Sequence, residues 1–72
     1  MIEFSNHAKE RNLKRKIPKS YIIKTVENPK EIIDSLKGRK LSRRKFGNKI
    51  LEVVTITEGK KVIIITQYYL GE

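Results

Sequence analysis

The chain has 72 residues, 17 Lys and Arg against 8 Asp and Glu, a formal net charge of +9, one histidine and no cysteine. A chain this short makes one domain, residues 1–72, that buries only about 60% of its unfolded surface, and its charge makes a polyanion the expected partner. The missing thiols and the single imidazole exclude disulfides, cysteine nucleophiles and a structural zinc site of the usual four-ligand kind.

Met1 to Phe4 opens with an acidic residue and no apolar run, alternates weakly as a short strand or a lead-in to the first helix would, and is taken as the lead-in. The longest uncharged stretch, Val62 to Gly71, is too short to cross a bilayer. A cytoplasmic protein with no membrane partner is the expectation.

Ser5 is a good N-cap, and the run from Asn6 to Lys16 contains neither Gly nor Pro. On the helix this predicts, His7, Arg11 and Arg15 stand four residues apart, in a gently drifting stripe roughly 12 Å long with Lys14 beside it. Ala8 and Leu13 are left for burial, a thin apolar share, so tertiary packing must hold the helix down. The stripe brings together an imidazole, which can serve as a general base, and two guanidinium groups able to hold a phosphate. By pattern alone a solvated charged face accounts for it equally well.

Ile17-Pro18 ends this helix and starts a second, in which Ile22, Ile23 and Val26 recur at helical spacing up to Glu27. Tyr21 on this helix reads as a packing residue. For residues 28–38 the pattern favours a short helix, with Asn28 as cap, Pro29 in the first turn, Glu31 as capping partner and Gly38 as stop.

Lys37 to Lys49 holds seven basic residues and no acid. Within it Leu41 to Phe46 reads as a strand ending at a Gly47-Asn48 hairpin turn. Strand alternation puts Arg43 and Lys45 on one face, the candidate ligand side, and Arg44 with Phe46 on the other. A charged strand that discourages aggregation has the same pattern.

Ile50 to Thr57 and Val62 to Leu70 are long β-branched runs joined through Glu58-Gly59-Lys60, and they predict an antiparallel hairpin at the centre of a sheet. Alternation places Val62, Ile64 and Leu70 on one face of the last strand and Ile63, Ile65 and Tyr69 on the other. Two short helices cover only one face, so apolar surface should be left over for a partner. Thr66 and Tyr68 point the same way, offering a hydroxyl for a phosphate and a ring for a base. The four glycines are isolated, and no glycine-rich phosphate loop or cofactor motif is present.

Together, His7-Ala8-x-x-Arg11-x-x-x-Arg15-x-Ile17, the apolar second helix, the Asn28-Pro29 break, the basic hairpin and the closing Ile-Ile-Ile-Thr-x-Tyr strand resemble the small toxin-like domains of unknown function related to the RelE, HigB and BrnT group. The resemblance runs over nearly the whole chain. It implies an α+β fold in which two N-terminal helices pack on one face of a three- to four-stranded antiparallel sheet. It also implies that Glu31 to Leu36 is the first sheet strand, with Lys37 to Lys40 turning into the next, and here we follow the resemblance.

Many proteins of that group are metal-independent ribonucleases, and others bind without cutting. The leading expectation is therefore a metal-independent endoribonuclease of the type II toxin class, acting by 2′-hydroxyl attack on the adjacent phosphate. His7 would be the acid or base, Arg11, Arg15, Arg43 and Lys45 would meet the charge on phosphorus, and Thr66 and Tyr68 would position the phosphate or base. No carboxylate falls at an obvious site position, and no cofactor is expected. The alternative is a non-catalytic RNA-, DNA- or ribosome-binding module, or an inhibitory toxin that binds a target protein. Expected partners are RNA, also in a ribosome-associated setting, a cognate antitoxin, and a second copy of the chain.

Overall fold

In the computed structural model, which describes residues 1–71, the chain begins with β1 (Ile2–Phe4), α1 (Asn6–Arg15) and α2 (Lys19–Glu27). There follow β2 (Glu31–Asp34), a 3₁₀ turn (Leu36–Gly38), β3 (Lys40–Phe46), β4 (Lys49–Glu58) and β5 (Lys61–Tyr69). The strands make one sheet in the order β1-β5-β4-β3-β2, with every neighbouring pair antiparallel except β1 with β5, which is parallel. Two helices on a five-stranded mixed sheet define an α+β fold. Among the described residues, no helix is long and apolar enough to cross a membrane.

The expected antiparallel sheet of three to four strands is thus corrected by β1. Ile2 and Phe4 sit opposite Val62 and Ile64, and Glu3 sits opposite Ile63. Three residues are too few for a period-two pattern to stand out, and the partner strand lies some sixty residues away in sequence. Residues 31–34 form a strand, against the helical pattern and two residues shorter than the Glu31 to Leu36 that the resemblance implied, because Leu36 already belongs to the 3₁₀ turn. Glu31 to Asp34 pair with Arg43 to Lys40, so tertiary pairing overrides the local Asn-Pro-x-Glu cap signature.

Ser5 ties the beginning of the chain to its end. Its hydroxyl accepts the Ala8 N–H at 3.0 Å, capping α1, and donates to the Ile65 carbonyl at 3.3 Å. Its own N–H donates to the Ile64 carbonyl at 3.0 Å. At the other end of α1, Lys16 turns left-handed at φ 51°. There the Asn12 side chain donates to the Ile17 carbonyl and accepts its N–H, at 3.0 and 3.1 Å. This clamp fixes the corner that buries Ile17.

The core lies between the helices and one sheet face, built from Ala8, Ile17, Ile22, Leu51, Val53 and Ile64, with Phe4, Val26, Phe46 and Tyr69 around them. Tyr21 stacks on Phe46 at 4.2 Å between ring centroids, the packing role expected of it. Leu13 corrects the expectation of burial, being 75% exposed. It lies about 140° around the helix from Ala8, the residue α1 presses onto the sheet.

Gly47 and Gly59, at φ 63° and 60°, turn the two tight hairpins. Phe46 faces Lys49 across one, and Glu58 faces Lys61 across the other. The β4–β5 ladder then slips: Thr55 pairs with Ile64 but Val54 pairs with Thr66, which leaves Ile65 as a bulge. This corrects the simple alternation of faces. Ile64, Gln67 and Tyr69 come to the helix side, while Ile63, Thr66 and Tyr68 come to the uncovered side.

Urea unfolding followed by circular dichroism should show Ile22→Ala destabilised by about 2–5 kcal/mol. Leu13→Ala should change stability by less than about 0.5 kcal/mol. A large loss for Leu13→Ala would contradict this packing.

Candidate functional site on the uncovered sheet face

The hairpin register sets the site. Glu31 faces Arg43, Arg43 faces Glu52, and Glu52 faces Tyr68, so one row of side chains crosses β2, β3, β4 and β5 on the face without helices. Arg43 Nε donates to Glu52 at 2.6 Å, and its Nη1 lies 3.5 Å from Glu31. The Tyr68 hydroxyl donates to the other Glu52 oxygen. With its side chain only 4% exposed, Glu52 is a carboxylate sunk into a sheet surface and held from both sides.

This surrounding shapes the proton affinities in the row. Burial, together with the hydrogen bond to Glu52, pushes the Tyr68 phenol up from 10.0 to about 12. The hydrogen bond to Glu52 also raises Arg43 above the ordinary guanidinium value, with burial opposing it. Near neutral pH Tyr68 is therefore a hydroxyl that donates, and Glu52 is its acceptor.

Arg15 closes the row from the side. β1 covers β5 only as far as Ile64, so the rest of β5 has one free edge. Arg15 reaches over this edge, donating from Nη1 to the Gln67 carbonyl at 3.0 Å and to Thr66 Oγ1 at 3.3 Å. Its guanidinium lies 5.8 Å from the centre of the Tyr68 ring.

Helix geometry explains why Arg15 arrives here and the rest of its stripe does not. Each four-residue step advances about 40° around the helix, so His7, Arg11 and Arg15 lie successively closer to the sheet-facing line of Ala8. His7 and Arg11 are exposed. They line a surface depression with Glu10 and Lys14 on the outer side of α1. His7 is roughly 12 Å from Arg15 along the helix axis.

The structure thus brings Arg15, Thr66 and Tyr68 together, with Arg43 two strands further along the row. Lys45 shares the face with Arg43, beside Ile50, opposite which it pairs. The two line a shallow hollow with Lys30 and Glu31. Sequence reasoning missed Glu52. The Gly47-Asn48 turn fixes the register that sets it opposite Arg43, and counting back from that turn was the available signal. It also missed Gln67, fully buried, whose Nε2 donates to the Ala8 carbonyl at 3.0 Å while Oε1 has no partner among the described residues.

By fold and site this is a small, basic α+β domain with a tyrosine–carboxylate–arginine row on the uncovered face of its sheet. Residues 4–69 match the family model of a domain of unknown function (DUF4258), and the chain belongs to that family. No curated protein and no solved structure matches the chain significantly.

Absorbance titration of the tyrosines should contain a late phase near pH 12 that Tyr68→Phe removes and Glu52→Gln moves to lower pH. Because the folded value lies above the unfolded 10.0, the associated stability is fully present below pH 10 and is lost as pH rises through 12. Loss in Tyr68→Phe of an ordinary phase near pH 10, with the late phase kept, would show that this phenol is not the buried donor.

Proposed function

We propose that the chain binds RNA across the uncovered sheet face and cleaves it without a metal, as a toxin-type endoribonuclease related to the RelE, HigB and BrnT group. The observation that carries this reading is the convergence of Arg15, Thr66 and Tyr68 at the free edge of β5, beside the Glu52 carboxylate that accepts from Tyr68. That arrangement offers positive charge, a hydroxyl and a carboxylate acceptor to one phosphodiester.

In the proposed step the 2′-hydroxyl loses its proton to the Tyr68 oxygen as Tyr68 passes its own to Glu52. The 2′-oxygen attacks phosphorus, and the 5′-oxygen leaves and takes a proton from solvent. The products are a 2′,3′-cyclic phosphate and a free 5′-hydroxyl. Arg15 and Arg43 flank the pair on either side and stabilise the charge that builds on the phosphorane. Thr66 and Lys45 hold the phosphates on either flank of the scissile one.

Glu52 takes the acid–base place that sequence reasoning gave to His7. With Arg11 and Lys14, His7 instead extends the cationic surface along which the strand runs. The separation of His7 from the row also favours a second reading, in which the same surface binds RNA or the ribosome and cuts nothing. An antitoxin or a second copy of the chain fits the apolar part of the uncovered face, where Ile33, Leu41, Val54, Ile56 and Ile63 lie by register.

Incubation of the purified chain with RNA in chelator, followed by mapping of the ends, tests the reading. Cyclic phosphate ends are expected, with cleavage lowered about 10²–10⁴-fold in Tyr68→Phe and Glu52→Gln. His7→Ala should weaken binding a few fold and leave the rate on saturating RNA nearly unchanged. Salt-sensitive binding with no new ends would establish the non-cutting alternative. Cleavage abolished by His7→Ala but kept in Glu52→Gln would return the acid–base role to the imidazole.

A further inference from the structure

Beyond the row, a cavity of about 400 Å³ opens beside the free half of β5, lined by Arg15, Ile17, Tyr68 and Tyr69. That volume lies in the range of small-molecule sites. Tyr68 is on the uncovered face and Tyr69 on the helix face, so the cavity wraps around the strand's edge and does not lie on either face. Its walls are flat or apolar: two phenol rings, the buried Ile17 side chain, and the guanidinium that lies against Tyr68.

The backbone of β5 runs along the same edge. Along a strand, a residue's N–H and C=O point to the same side, and the side alternates. Leu70 N–H donates to the Ile50 carbonyl, inward to β4, whereas the Gln67 carbonyl accepts from Arg15 on the outer side. Tyr69 lies between Gln67 and Gly71 in this alternation, so its N–H and C=O face outward, where β1 no longer runs. A donor and an acceptor are thus presented side by side at an edge flanked by aromatic rings.

We propose that this cavity is a nucleobase subsite, taking one base of a single-stranded RNA next to the phosphate held at Arg15. The base stacks on the tyrosine and guanidinium planes and pairs an adjacent donor and acceptor of its edge with the peptide groups of Tyr69. Every nucleobase carries such a donor–acceptor pair or its near equivalent, so the subsite selects an unpaired base over a paired one. This inference rests on the RNA reading above, because the base is placed by a phosphate bound at Arg15.

Amide-resolved NMR titration of the intact chain with adenosine 5′-monophosphate and, separately, with ribose 5-phosphate tests it. The nucleotide is expected to shift the Gln67 and Tyr69 amides and the Tyr68 ring, and ribose 5-phosphate to leave the Tyr69 amide unmoved. In parallel, a 2′-O-methyl hexanucleotide, which cannot be cut, should bind about tenfold or more tightly than its abasic counterpart, given the worth of one stacked base. Equal binding of the two oligonucleotides, with no response of the Tyr69 amide, would overturn the subsite while leaving phosphate binding intact. Failure of both oligonucleotides to bind would overturn the RNA reading and the subsite with it.

Discussion

One unpaired residue in the last strand decides what this domain can present to its surroundings. At Ile65 the ladder between β4 and β5 slips, so that side chains before and after it exchange faces. Ile64 is fully buried under the helices. Strict alternation would therefore have carried Thr66 and Tyr68 into the core and set Gln67 opposite Glu52. The bulge instead puts the phenol beside the carboxylate and sends Gln67 inward. Ser5 pins it in place, because its N–H and its hydroxyl occupy the Ile64 and Ile65 carbonyls, while that hydroxyl also starts α1. The strand irregularity, the helix start and the row on the far face are consequently one construction.

The same feature explains what could and could not be read from the residues. The helices were legible from Ser5, from the gap-free run after it and from the Ile22 and Val26 spacing. Both hairpins were legible from their turns, Gly47-Asn48 and Gly59-Lys60. Arg43 and Lys45 sharing a face, and Thr66 and Tyr68 sharing another, followed from the period of two. The pairing of Arg43 with Glu52 was countable from the first turn and went uncounted. The pairing of Glu52 with Tyr68 was not countable, since β-branched runs carry no mark of where a bulge falls. β1 was hidden for a different reason: its three residues become a strand only because β5 is there to receive them.

Charge is sorted as carefully as shape. In a chain with a net charge of +9, two of the eight acids, Glu31 and Glu52, are spent on Arg43. Two further acids make looser surface pairs, Asp34 with Lys40 at 3.6 Å and Glu3 with Lys61 at 3.8 Å. Exposed pairs of that kind contribute little. Most of the remaining basic residues lie on α1 and along the basic hairpin. The cationic surface proposed to draw a polyanion and the groups proposed to act on it thus share Arg43 and Lys45, both on the basic hairpin.

A carboxylate sunk in a sheet is a costly way to build a small domain. Removing such a group from water carries a desolvation penalty that its partners repay only with good geometry, and apolar replacement of buried ion pairs is often neutral or stabilising. On the neighbouring stretch of the same face, Leu41 sits opposite Val54, and Ile56 opposite Ile63, so the sheet tolerates aliphatic cross-strand contacts there. Stability alone would have been served by continuing them across positions 43, 52 and 68. What the row provides instead is a phenol held protonated to about pH 12, a carboxylate beside it, and a guanidinium on either side of that pair. Departures from the simplest stable choice concentrate where a protein acts, and this supports the proposal that sets the chemistry on that row.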